Sequence, residues 1–130
     1  MNTLLALQFS QPEILDQLLA LNAGELDTLD FGVIGMGADT LVCDYNALES
    51  KLAGLSKERV IGHPLFTSVA LCMNNFMVAQ RFEDTAAAGQ ALDLTLDYVL
   101  TLRMRPVKVK LRLLASPRAD RRFVLVNRKP

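Results

Sequence analysis

Tyr45 and Glu49 stand four apart in a stretch, Tyr45 to Ala53, that reads as a short helix stopped by Gly54. That spacing puts both side chains on one face. With a buried, protonated carboxyl the pair offers two convergent O–H donors, an arrangement able to hold an anionic oxygen in an apolar pocket. The plainer alternative is an exposed glutamate beside a half-buried tyrosine, since acids are seldom fully buried. Cys72 follows Val69-Ala70-Leu71 and precedes a predicted helix cap at Asn74 or Asn75. A thiol near a helix N-terminus ionises more readily and can serve as nucleophile or acyl acceptor. A small core hydrophobe is the competing reading. His63, the one histidine, precedes Pro64 and reads as a loop residue. Nothing around it has the form of a hydrolase signature, and acyl transfer through Cys72 would lack a general base.

The elements that must position these residues follow from periodicity. Ser10-Gln11-Pro12-Glu13 has the spacing of a helix start with Ser10 as N-cap. Ile14, Leu15, Leu18 and Leu19 give the helix an apolar face, to be covered by its own domain or by a second copy. Asp30 to Ile34 and Thr40 to Asp44 read as strands joined through Gly35-Met36-Gly37-Ala38-Asp39. The two glycines suit a hairpin turn better than a dinucleotide loop, because position 40 is threonine. Ser56 caps a turn to Val60, Pro64 forces a break, and Leu65 to Cys72 is short and apolar. A longer helix then runs to about Ala88, with Gly89 as its stop. Leu92, Leu94, Leu96, Tyr98, Leu100, Leu102 and Met104 are apolar at period two, which predicts a long strand with one buried face, ended by Pro106. Val107 to Ala115 and Arg122 to Asn127 complete a meander. The expected class is α+β: a five-stranded antiparallel sheet, with helices inserted between strands 2 and 3, enclosing a pocket.

Composition narrows the function. A chain of 130 residues, 51% apolar and 22% charged, is one folded domain and excludes a disordered tail. Two cysteines and one histidine are too few for a zinc finger, an iron–sulfur cluster or a disulfide framework. A Cys43–Cys72 bridge stays open as an alternative to two reduced thiols. The net charge is zero, yet residues 1–102 hold 13 acids and 4 bases while residues 103–130 hold 10 bases and 1 acid. Lys108, Lys110 and Arg112 alternate with apolar residues, so they read as the polar face of a strand set against acidic elements of the same domain. With only 6% aromatic residues, nucleic-acid binding is not expected. No run reaches the roughly 20 apolar residues that span a bilayer, and the start lacks a basic n-region. The expectation is a cytoplasmic protein with no membrane partner.

Several stretches together resemble the photoactive yellow proteins, light-sensing members of the PAS superfamily. They are Leu29-Asp30-Phe31-Gly32, Tyr45-Asn46-Ala47-x-Glu49, Val60-Ile61-Gly62, Val69-Ala70-Leu71-Cys72, Asp97-Tyr98, Met104-x-Pro106-Val107-Lys108-Val109-Lys110 and Phe123-Val124-Leu125-Val126-Asn127-Arg128. The similarity runs from about Gly24 to Arg128, which divides the chain into an N-terminal helical segment, 1–23, and a PAS domain, 24–130. The resemblance implies a PAS sheet and a photoreceptor, not an enzyme. It implies that Cys72 carries p-coumaric (4-hydroxycinnamic) acid as a thioester, and that Tyr45 and Glu49 hydrogen-bond its phenolate. A neutral Glu49 would donate at first and later give up its proton. The buried charge left behind would drive partial unfolding, a signal read by an unnamed partner protein. Val69, Ala70, Tyr98 and Met104 match positions near the chromophore.

This chain departs from the family pattern at four positions. Ala53 stands where the family has a threonine beside the tyrosine, and Leu55 stands for an arginine shielding the pocket. Leu71 replaces the proline before the cysteine, and Leu100 a phenylalanine of the pocket wall. These departures support a second reading, a non-photoactive PAS-fold protein that binds small molecules or acts as a scaffold. Its state is expected to be monomer or homodimer.

Overall fold

The computed structural model describes residues 7–101 and 105–128. Five strands, β1 Gly32–Met36, β2 Val42–Tyr45, β3 Leu92–Leu100, β4 Val107–Ala115 and β5 Arg122–Asn127, form one sheet in the order β2-β1-β5-β4-β3. All neighbours are antiparallel. Helices α3 Ala47–Ala53, α4 Lys57–Val60 and α5 Ala79–Ala87 lie between β2 and β3, with a π-helical turn Leu65–Val69 and a 3-10 turn Leu71–Met73. This is the α+β PAS fold expected from the sequence.

Alternation along the strands creates two cores. Ile34, Met36, Leu111, Leu113, Val124 and Val126 face the inserted helices, where Val60, Leu65, Phe66 and Phe82 cover them. Val33, Leu114, Phe123 and Leu125 point the other way and are covered by Leu7 and by Ile14 and Leu18 of α1 Ile14–Leu19. The N-terminal segment thus packs on its own sheet. The basic strand meets acids as expected: Lys110 bonds Asp97 across the β3–β4 ladder at 2.7 Å. Arg112 grips Asp93 with two bonds, at 2.8 and 2.7 Å.

Two local expectations give way to tertiary contacts. The first helix starts at Ile14, not at a Ser10 cap, and Glu13 before it is left-handed at φ 54° with no side-chain cap. The carbonyls of Phe9 and Gln11 turn instead to Arg112 Nη1, at 2.8 Å each. The capping box that does form is Asn22 with Glu25, opening α2 Ala23–Leu26. The longer helix starts at Ala79 rather than just after Asn75, because the Asn75 side chain caps the turn before it, accepting from the N–H groups of Met77 and Val78. Its stop is as expected, with Gly89 at φ 67°.

Candidate functional site

Tyr45 is the last residue of β2, not the first turn of the helix, and Glu49 lies in the first turn of α3. Asn46 joins the two. Its side-chain oxygen accepts from the N–H of Glu49 at 3.1 Å, capping the helix, and from the N–H of Val33 at 3.0 Å. Its amide nitrogen donates to the carbonyls of Leu26 and Phe31, both at 3.0 Å. A buried asparagine with all these bonds made fixes the strand-to-helix corner. Gly54, left-handed at φ 75°, ends α3 as expected.

Both predicted donors are buried, Tyr45 at 2% and Glu49 at 1% exposure. In this structure both oxygens of Glu49 accept. Arg128, just past β5, donates from Nη1 to Glu49 Oε1 at 2.7 Å and from Nη2 to Oε2 at 3.1 Å. Two parallel N–H···O bonds make this a bidentate, charge-assisted pair. The Glu49 carboxyl lies over Gly32 so closely that an added Cβ there would meet Oε1 at 2.1 Å. Burial, and then the Glu49 carboxylate, push the Tyr45 phenol well above its ordinary pKa, while Arg128 pulls it back. Tyr45 therefore remains a donor at neutral pH.

Cys72 lies in the 3-10 turn Leu71–Met73, partly buried and unbridged. Its expected place beside a helix N-terminus is not found, since α5 begins at Ala79. The turn is held from outside. The Tyr98 hydroxyl donates to the Cys72 carbonyl. Asn75 Nδ2 donates to the same carbonyl at 3.2 Å and to the Tyr98 hydroxyl oxygen at 2.6 Å.

The structure brings most of the sequence candidates to one core. Tyr45, Ala70 and Leu100 are buried in it, and Leu55, Val69, Cys72 and Tyr98 pack against it. Ala53 is buried at the end of α3, one turn beyond Glu49. Met104 lies outside the described residues. Leu71 is 65% exposed, and so stands on the surface beside the thiol. Cys43 is also free and on the surface. His63 belongs to the loop before Pro64, where its carbonyl accepts from Val42 at 2.9 Å. Sequence reasoning assigned no role to Arg128, Asn46 or Gly32. The alternation Val124, Val126, Arg128 was the available signal: it carries a charge onto the helix-facing side of the sheet.

Among the described residues no three metal-ligating side chains gather, and no helix is long and apolar enough to cross a membrane. No family model matches the chain. The photoactive yellow protein of Rhodothalassium salexigens is 30% identical over 122 residues, covering 94% of this chain and 97% of that protein. The chain belongs to the photoactive yellow protein family. The photoactive yellow protein of Halochromatium salexigens is 31% identical over 120 residues, covering 92% and 95%. The crystal structure of the photoactive yellow protein domain from the sensor histidine kinase Ppr of Rhodospirillum centenum superposes with a TM-score of 0.76 at 34% identity. It covers 88% of this chain and 96% of that one. More distant PAS domains share the fold alone. The site is therefore that of a PAS photosensor family.

Proposed function

We propose that this chain is a cytoplasmic blue-light sensor that carries p-coumaric acid as a thioester on Cys72 and signals to a partner protein. The observation that carries the reading is the packing of Cys72 against the core that buries Tyr45, in a chain of this family. The donor set fits a phenol. Tyr45 is a protonated donor, Arg128 is a cation paired with the Glu49 carboxyl, and Gly32, lacking a side chain, makes room for that carboxyl. In attachment, the Cys72 sulfur bonds to the carbonyl carbon of an activated p-coumaroyl donor, and the thiol proton leaves with the displaced group. When bound, the group supplies visible absorption and a double bond that light isomerises.

The chain's own residues do the rest. Tyr45 donates to an anionic oxygen, and Glu49 exchanges a proton with it. Ala53, Leu55, Val69, Ala70 and Leu100 keep water out. Tyr98, with Asn75, holds the Cys72 backbone while the side chain is loaded. A charge moved onto or off Glu49 inside this core changes its pairing with Arg128, which loosens α3 and the end of β5. A related domain sits in a sensor histidine kinase, which supports a protein partner for this chain too. The state is proposed as monomer or homodimer.

The second reading is a PAS-fold protein that binds small molecules without light. The Glu49–Arg128 pair favours it, since both carboxylate oxygens already have donors. Incubation with activated p-coumaric acid separates the two. The sensor reading expects one added p-coumaroyl mass and a visible band, both lost in Cys72→Ala. No adduct, or one absorbing only as a neutral phenol, favours the second reading.

A further inference from the structure

Glu49 and Arg128 lie 79 positions apart in the chain, one in the first turn of α3 and the other just past β5. They meet where β1 presents Gly32, which has no side chain. The ionisable group that faces them from β2 is Tyr45. The Glu49 side chain is 1% exposed and that of Arg128 15%. A guanidinium keeps its charge at any ordinary pH and, away from water, demands one anion beside it. Glu49 supplies that anion. A second anion at the same place would leave the group with excess negative charge, at an energy that the low-dielectric surroundings magnify. The geometry therefore defines a site of one cation and one anion.

We propose that Arg128 is the specificity-determining residue of this site: its fixed charge selects a ligand with an acidic aromatic hydroxyl. Glu49 then trades its place as the anion for the ligand's proton. The exchange is balanced. The aromatic O–H bond breaks, its proton forms the O–H bond of Glu49, and the negative charge passes from carboxylate to aromatic oxygen. Arg128 and the Tyr45 hydroxyl remain as donors to that oxygen. Tyr45 cannot take the anion's part, because its own phenol is held protonated. A neutral aromatic ligand gains nothing from Arg128, since the guanidinium then stays with Glu49. The proposal deepens the chromophore reading by naming what makes the site anion-selective, and it can be tested without the thioester.

The probe is para-nitrophenol, whose neutral and ionised forms absorb at different wavelengths. It is titrated into the unloaded full-length Cys72→Ala protein. The expected result is binding as the anion, weakened about tenfold or more in Arg128→Gln and largely kept in Arg128→Lys. Any probe bound to Arg128→Gln should be neutral. Glu49→Gln/Arg128→Gln, which removes both charges and leaves none unpaired, is the folded control, with circular dichroism unchanged and the anion refused. Equal affinity and equal ionisation with and without Arg128 would overturn the proposal, as would failure of the parent to bind the probe while Cys72 of the natural sequence accepts the p-coumaroyl group. Arg128-dependent binding in a protein whose Cys72 refuses the acyl group would sustain the proposal and sink the photoreceptor reading instead.

Discussion

The hydroxyl of Tyr98, on β3, donates to the backbone carbonyl of Cys72, 26 positions earlier in the chain. Asn75 closes a triangle with both. The backbone of the attachment residue is thus fixed by a neighbouring strand, in a turn too short to fix itself. In Tyr98→Phe only Asn75 holds that carbonyl. Stability should fall by about 1 kcal/mol, and alkylation of Cys72 by iodoacetamide should quicken several-fold. Urea unfolding and a timed mass spectrum check both.

Asn46 decides where Tyr45 and Glu49 stand. It bonds β1, the end of α2 and the start of α3 from one buried side chain. Asn46→Ala should lower stability by about 2–4 kcal/mol, because the cap is lost and buried backbone groups are left unpaired. Asn46→Asp keeps the acceptor but loses both donations, and should also destabilise. Denaturant midpoints of the two variants test this, and an alanine variant within error of the parent would contradict it.

The close approach of Glu49 to Gly32 makes a sharp steric claim. Gly32→Ala sets a methyl where Oε1 lies and should cost about 1–3 kcal/mol. In a Glu49→Ala background the carboxylate is gone and most of that penalty should vanish. The double-mutant cycle measures the coupling directly.

Cys43 should be an unreactive thiol despite its place on the surface. Loss of water around it, and then the adjacent Asp44 carboxylate, raise its pKa from 9.0 to about 11, with Arg121 opposing. Its sulfur also donates to Asp44 Oδ2 at 3.6 Å. The folded state therefore holds this proton where the unfolded chain has lost it. Its contribution to stability is whole below about pH 9 and is lost as pH rises toward about 11. Alkylation of Cys43 in Cys72→Ala should be slow at pH 8 and rise steeply only as pH approaches that value. Asp44→Asn should shift the rise to lower pH.

The sheet was legible because its strands are long or cleanly bounded. Leu92 to Leu100 alternates without interruption, and Pro106 separates it from a strand whose lysines find acids on its neighbour. The α3 stop was legible in Gly54. What failed depended on distant partners. Ser10 has the spacing of a cap, but Arg112, over 100 positions away, takes the carbonyls around it. Tyr45 blends into a helical pattern, yet the ladder with Ile34 claims it for β2. The candidates Tyr45, Cys72, Tyr98 and Leu100 came from residue type and resemblance, and the fold gathers them at one core. The pairing of Glu49 was not legible, because its partner lies 79 positions on, past the last strand. Spacing within a helix says nothing about a cation delivered by a sheet.

The central claim is that this chain turns light into a change at Cys72 and its pocket. The most direct measurement is the visible difference spectrum of the p-coumaroyl-loaded protein under blue illumination, followed by recovery in the dark. The account predicts that the visible band bleaches in the light and returns in the dark. A band unchanged by light on a fully loaded Cys72 would contradict it.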